Sequence, residues 1–136
     1  MQPLRLEKGG RIDRSQPLSF RFNGKSYTGY AGDTLASALL ANGVSLVGRS
    51  FKLHRPRGIV GSAAEEPNAI MQIGKGASSL PNRRATQVLL YEGLRARSPK
   101  GWPGLRLDFG AINNVFSRMI GAGFDYKNFM YPQYLW

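Results

Sequence analysis

Leu18, Phe20 and Phe22 alternate with Ser19, Arg21 and Asn23, the two-residue period of a strand that buries one face. Asn23-Gly24 supplies the two residue types most tolerant of the positive φ angles in a tight hairpin turn. Lys25 to Tyr30 then returns with aromatic and hydroxyl residues, so this stretch predicts a β-hairpin. Leu35, Ala36, Leu39 and Leu40 recur at three- and four-residue spacing, which predicts a short helix over 34–42. Asp33 is placed to accept from the first-turn N–H groups, and Gly43 suits the left-handed position that ends a helix. Two further runs of strand character, Ala69 to Ile73 and Thr86 to Tyr91, flank a loop-like stretch, GKGASSLPNRR.

The predicted order is strand, strand, helix, long loop, strand, strand. Such a sheet needs the helix to cover its apolar face, so the expected fold is α+β, a β-grasp. The boundaries divide the chain into an N-terminal arm (1–16), the β-grasp domain (17–97) and a C-terminal extension (98–136). In the extension, KGWPGL reads as a turn-rich linker. Ile112, Val115, Phe116, Met119 and Ile120 follow as an amphipathic stripe that predicts a second helix ended by Gly121. Phe124, Tyr126, Phe129, Met130, Tyr131, Tyr134 and Trp136 then crowd the last thirteen residues, and Pro132 blocks a regular helix there.

Composition narrows the chemistry. The 136 residues include no cysteine, which excludes disulfides, thiolate-held clusters or zinc, and a cysteine nucleophile. Nineteen Lys and Arg against eight Asp and Glu give a net charge of +11 and favour acidic partners. The first residues lack the apolar core of a secretory signal, and no apolar run is long enough to span a bilayer, so a cytoplasmic protein without a membrane partner is expected.

The charge is densest from Arg49 to Arg57, where Arg49, Lys52, His54, Arg55 and Arg57 lie together with no carboxylate between Asp33 and Glu65. Such a cluster suits bulk solvent, the carboxylates of a partner domain, or the phosphate of a flavin or nicotinamide nucleotide. His54 is the sole histidine, which excludes a multi-histidine metal site and points to packing or a hydrogen bond to backbone. Gly74 and Gly76 follow a strand but lack the third glycine and helix of a dinucleotide fingerprint, so they read as loop. Asp33 with Glu65 or Glu66 is a formal acid–base pair. A helix cap for Asp33 and an exposed stretch for the glutamates explain them better.

Six stretches carry a resemblance: GGRIDRS (9–15), YAGDTLASALLANGV (30–44), VGRSFKLHRPRGIV (47–60), EEPNA (65–69), LYEGLRARS (90–98) and AGFDYKNFMYP (122–132). Together they resemble the N-terminal part of the α subunit of bacterial heterotetrameric sarcosine oxidases. The resemblance implies the leading piece of a longer subunit, with dinucleotide-binding and folate-binding domains to follow. It also implies a ferredoxin-like fold which, in related amine, opine and cyanide-forming oxidase subunits, carries a [2Fe–2S] cluster on cysteines after the RPRG motif. Here Gly58 to Asn68 offers only Ser62, Glu65, Glu66 and Asn68, so the cluster-free branch fits. The family oxidises the sarcosine methyl group with oxygen to leave glycine, and passes the one-carbon unit to tetrahydrofolate. FAD, FMN and NAD are the other cofactors implied for the parent complex, and none of these for the segment itself.

The expected role is therefore a non-catalytic docking domain whose partners are the rest of the α subunit and the other sarcosine oxidase subunits. Arg49, Lys52, Arg55 and Arg57 are the expected anion or partner contacts, with Trp102, Phe129, Tyr131 and Trp136 packing against the remaining polypeptide. A subunit of a related opine or amine oxidase is the nearest alternative. A small basic nucleic-acid-binding module is the rival on composition, opposed by the burial expected for Phe20 and Phe22, which leaves few rings to stack on bases.

Overall fold

The computed structural model describes residues 2–117 and 119. Strand β1 (Asp13–Phe22) and strand β2 (Lys25–Ala31) form the expected hairpin, paired Phe20 to Tyr27 and Phe22 to Lys25. Asn23 and Gly24 both take positive φ at the turn, 48° and 84°. Helix α1 (Leu35–Ala41) buries Leu35, Ala36, Ala38, Leu39 and Ala41. Gly43, at φ 75°, closes its end as expected.

Two short strands follow, β3 (Gly48–Arg49) and β4 (Pro56–Arg57), which pair only with each other. Strands β5 (Ile70–Ile73), β6 (Leu80–Arg84) and β7 (Leu94–Arg97) join the hairpin in a five-stranded sheet of order β2-β1-β7-β5-β6. β7 runs parallel to β1, with Phe20 opposite Leu94, and antiparallel to β5. Phe20, Phe22, Met71, Ile73, Leu94 and Ala96 project from one sheet face onto Leu35 and Leu39 of α1, which makes the core. The fold is α+β, a mixed sheet grasping one helix.

Several expectations change. Asp33 does not cap α1: Thr34 does, accepting from the Ser37 N–H at 3.1 Å while Ser37 Oγ accepts from the Thr34 N–H at 3.0 Å. Asp33 is instead buried beside that turn, accepting from the Tyr30 N–H at 3.0 Å and the Ser37 hydroxyl at 2.7 Å. The stretch read as an arm reaches it, since Arg5 Nη2 lies 2.6 Å from Asp33 Oδ2, and β1 already begins at Asp13.

The run Thr86 to Tyr91 is not a strand of the sheet. A 3₁₀ turn (Ala85–Gln87) leads into a crossing over the start of α1, where Leu35 N–H donates to Val88 O and Leu90 N–H to Asp33 O, both at 2.8 Å. Its apolar residues cover the helix start, and the strand comes later, at β7. Conversely β6 arises from the stretch read as loop. As an edge strand with all five residues exposed it shows no alternation, and an edge position tolerates Pro81.

In the extension, a 3₁₀ turn (Phe109–Ala111) runs into a single helical turn, α2 (Ile112–Val115), and Ile112, Val115, Phe116 and Met119 are all exposed. Ile120 and Gly121, which completed the expected longer helix, lie outside the described residues, as does the aromatic run from Phe124 to Trp136.

Candidate functional site

The loop Gly58 to Asn68 is built around a carboxylate. Glu66 is fully buried; its Oε2 accepts from the N–H groups of Val60 at 2.8 Å and Gly61, and its Oε1 from Asn68 at 2.8 Å and Ala69 at 3.0 Å. Burial works against the charge, but the N–H groups of Gly61, Asn68, Val60 and Ala69 outweigh it and hold Glu66 below the usual carboxylate range. The reading of both glutamates as an exposed stretch therefore fails for Glu66. Four loop N–H groups aimed inward need an acceptor, and this side chain supplies both oxygens. Glu65 is exposed and accepts from the Ser62 and Ala63 N–H groups at 2.9 and 3.0 Å.

This arrangement does not fit an iron–sulfur cluster. The chain has no thiolate to offer. The loop's two carboxylates are occupied by six backbone N–H groups, and the described residues hold no group of three or more His, Cys, Asp or Glu suited to a metal ion. Glu65 and Glu66 are also committed to backbone donors rather than to a substrate, as is Asp33 to Arg5, Tyr30 and Ser37.

The basic segment meets another buried carboxylate, Asp108, in the stretch read only as linker and extension. His54 Nδ1 lies 2.6 Å from Asp108 Oδ2, and Arg49 Nε lies 3.4 Å from the same oxygen. Asp108 Oδ1 accepts from the N–H groups of Trp102 at 3.0 Å and Gly110 at 3.1 Å. Burial raises the cost of its charge, and the Trp102 N–H, the His54 ring and the Gly110 N–H more than offset it, so Asp108 is held below the usual range. An ionised carboxylate only accepts, so His54 carries its proton on Nδ1. The partner of His54 is thus a carboxylate 54 residues away, and its ring packs so closely on Gly110 that a Cβ there would overlap it.

The expected contact residues divide accordingly. Arg49 is nearly buried and turned inward, donating to Leu105 O at 2.8 Å and His54 O at 2.7 Å, so the anion it serves belongs to its own chain. Arg55 Nε donates to Asn114 Oδ1 at 2.9 Å, and Asn113 donates to Lys52 O at 3.2 Å, two more ties between the basic loop and the extension. Arg57 is exposed on β4. Trp102 is 72% exposed and tilts against Phe109 with ring centroids 5.4 Å apart. Phe129, Tyr131 and Trp136 lie outside the described residues. Sequence reading missed Asp108, Asn113 and Asn114; the one local signal was Asp108 two residues before Gly110, the spacing at which an aspartate closes a turn on its own backbone.

Comparison with known proteins agrees with the fold. The family described as 2Fe-2S iron-sulfur cluster binding domain matches residues 15–101. Sarcosine oxidase subunit alpha of Rhizobium meliloti (strain 1021) is 57% identical over 136 residues, which is all of this chain and 14% of that protein. Sarcosine oxidase subunit alpha of Corynebacterium sp. (strain U-96) is 42% identical over 94 residues, 65% of this chain and 9% of that one. This chain therefore spans a small fraction of the relatives it matches. A solved L-proline dehydrogenase from P. horikoshii shares the fold over 75% of this chain and 18% of its own, with a TM-score of 0.55 at 24% identity.

Proposed function

We propose a role from one premise: this chain belongs to the 2Fe-2S iron-sulfur cluster binding domain family. Within that family it is a cluster-free member, because neither the sequence nor the loop around Glu66 offers cluster ligands. Its proposed function is that of a non-catalytic structural and docking domain in a sarcosine oxidase alpha subunit, and the similarity of this whole chain to 14% of such a subunit supports it. The proposed parent complex demethylates sarcosine oxidatively to glycine, with FAD, FMN, NAD and tetrahydrofolate bound by other parts of the assembly. Its remaining polypeptide and companion subunits are the proposed partners.

One observation carries the docking reading. The Asp108 knot fixes the extension on the basic loop, and in doing so presents Trp102, Leu107, Phe109, Ile112, Val115 and Phe116 exposed. Large apolar side chains left exposed along one short stretch, with Trp102 against Phe109, support an interaction surface there. The basic segment thus acts first inside the chain, as the clamp that holds this surface.

The test is spectroscopic and kinetic. The purified protein is expected to be colourless between 350 and 600 nm, roughly the region where flavins and iron–sulfur clusters absorb, and to show no oxygen uptake with sarcosine. Stoichiometric flavin or iron absorbance, or sarcosine-dependent turnover by this chain alone, overturns the reading.

A further inference from the structure

On the sheet face opposite α1, the outward side chains of β1 and β7 include a row of cations. β1 and β7 are neighbours in parallel register, so Arg21 stands directly beside Arg95, both exposed. Neighbouring strands lie about 4.8 Å apart, and like charges set opposite one another across strands are destabilising. Among the described residues neither guanidinium makes a side-chain hydrogen bond or ion pair, and the same holds for Lys75 at the end of β5. Arg97, the next outward residue on β7, donates to Gln72 at 2.7 Å and stays exposed. These four cations line one open cleft of about 350 Å³ whose lining includes no acidic residue. Gly24, Gly74 and Gly76 complete the wall, so little side-chain bulk obstructs an approaching chain. Arg21 and Arg95 also line the adjoining cleft with Ser19 and Ser26, again without an acid. Glu92, which precedes β7, accepts from the Ser19 N–H at 2.8 Å.

We infer that this face, centred on the Arg21–Arg95 pair with Lys75 and Arg97, is a docking surface for an acidic polypeptide segment that sets carboxylates between the arginines. Charge complementarity carries the inference: a paired cationic row without an internal counter-ion is relieved by bidentate carboxylates. The occupant is a polypeptide rather than a single-stranded nucleic acid because the cleft lining carries no aromatic ring on which bases would stack. The surface is distinct from the Asp108 knot and the extension. Naming a polypeptide rests on the docking reading above, which fails separately, on cofactor absorbance or turnover.

The experiment compares two charge-matched double variants of the full 136-residue chain. Arg21→Ser/Arg95→Ser removes two cations from the face; Lys8→Ser/Arg11→Ser removes two from exposed positions before β1. Affinity for poly-L-glutamate, measured at about 0.15 M salt, is expected to fall about tenfold for the face variant and less than about twofold for the other. Equal losses, or no loss, overturn the inference, because binding then follows net charge or lies elsewhere. Tighter binding of oligothymidylate than of poly-L-glutamate, lost through the same two arginines, also overturns it in favour of a nucleic-acid surface. All four positions are exposed, and an unchanged unfolding midpoint in both variants verifies that folding is intact.

Discussion

Glu66 and Asp108 are both buried and both held below the ordinary carboxylate range, but their partners come from different distances along the chain. Every donor to Glu66 lies within six residues and is backbone, so that carboxylate fixes the shape of its own loop. Asp108 takes two nearby N–H groups and then His54 and Arg49, more than fifty residues earlier, so it ties the extension to the domain. Charge loss is therefore expected to be a folding defect at the first site and an undocking at the second.

Glu66→Ala is the largest expected effect, because it strands loop N–H groups at about 1–3 kcal/mol each where water does not reach. A total loss of about 3–5 kcal/mol in urea unfolding is expected, with hydrogen-exchange protection falling across the sheet. Glu66→Gln keeps one acceptor and should lose less. A loss under about 1 kcal/mol for the alanine variant would mean that water replaces the carboxylate. Asp108→Ala is expected to cost about 2 kcal/mol, with exchange protection lost over 102–115 while β1 and β7 keep theirs. Equal loss in the sheet would show that the extension, whose Leu105 packs in the main core, unfolds together with the sheet, and would erase the contrast.

Acid sharpens the same comparison. Both folded pKa values are depressed, so the stability these groups supply is fully present above their ordinary values of 4.5 and 3.8 and is lost as pH falls through the depressed ones. Stability is expected to hold from pH 7 to about 5 and to decline below. Glu66→Gln and Asp108→Asn should each flatten part of that decline, on a background from Asp13 and Glu65, which are also depressed. An unchanged acid limb in both variants would remove these carboxylates from its cause.

The hairpin and α1 were legible because each is written in one contiguous period, and the fold class followed from their order. β6 was not, since a fully exposed edge strand has no buried face to alternate against. β7 does alternate, Leu94 and Ala96 inward with Arg95 and Arg97 outward, but two apolar positions are a weak signal beside the longer apolar run Val88 to Tyr91. That run instead covers the start of α1. At the site, the density of Arg49 to Arg57 announced a need for an anion. Its source was hidden because Arg49 turns inward only through the pairing of Gly48 with Arg57 and Arg49 with Pro56, and Asp108 arrives from another part of the chain. Which of Asp33 and Thr34 caps α1 was equally a tertiary matter, decided once Arg5 draws the aspartate aside.

The smallest expected effect isolates the knot from the rest of the extension. Gly110 sits in a 3₁₀ turn at a backbone conformation open to any residue, yet a Cβ there would overlap the His54 ring. Gly110→Ala should therefore cost about 1–2 kcal/mol through overpacking. His54→Ala removes the ring and with it the overlap, so Gly110→Ala in that background should become neutral, or stabilise by up to about 0.5 kcal/mol through the stiffer unfolded chain. A double-mutant cycle reads the coupling directly, and contacting residues typically show about 0.5–3 kcal/mol. Additive costs would mean that the two residues do not meet in solution, which would unseat His54 from Asp108 and leave Arg49 as the only distant side chain in the tie.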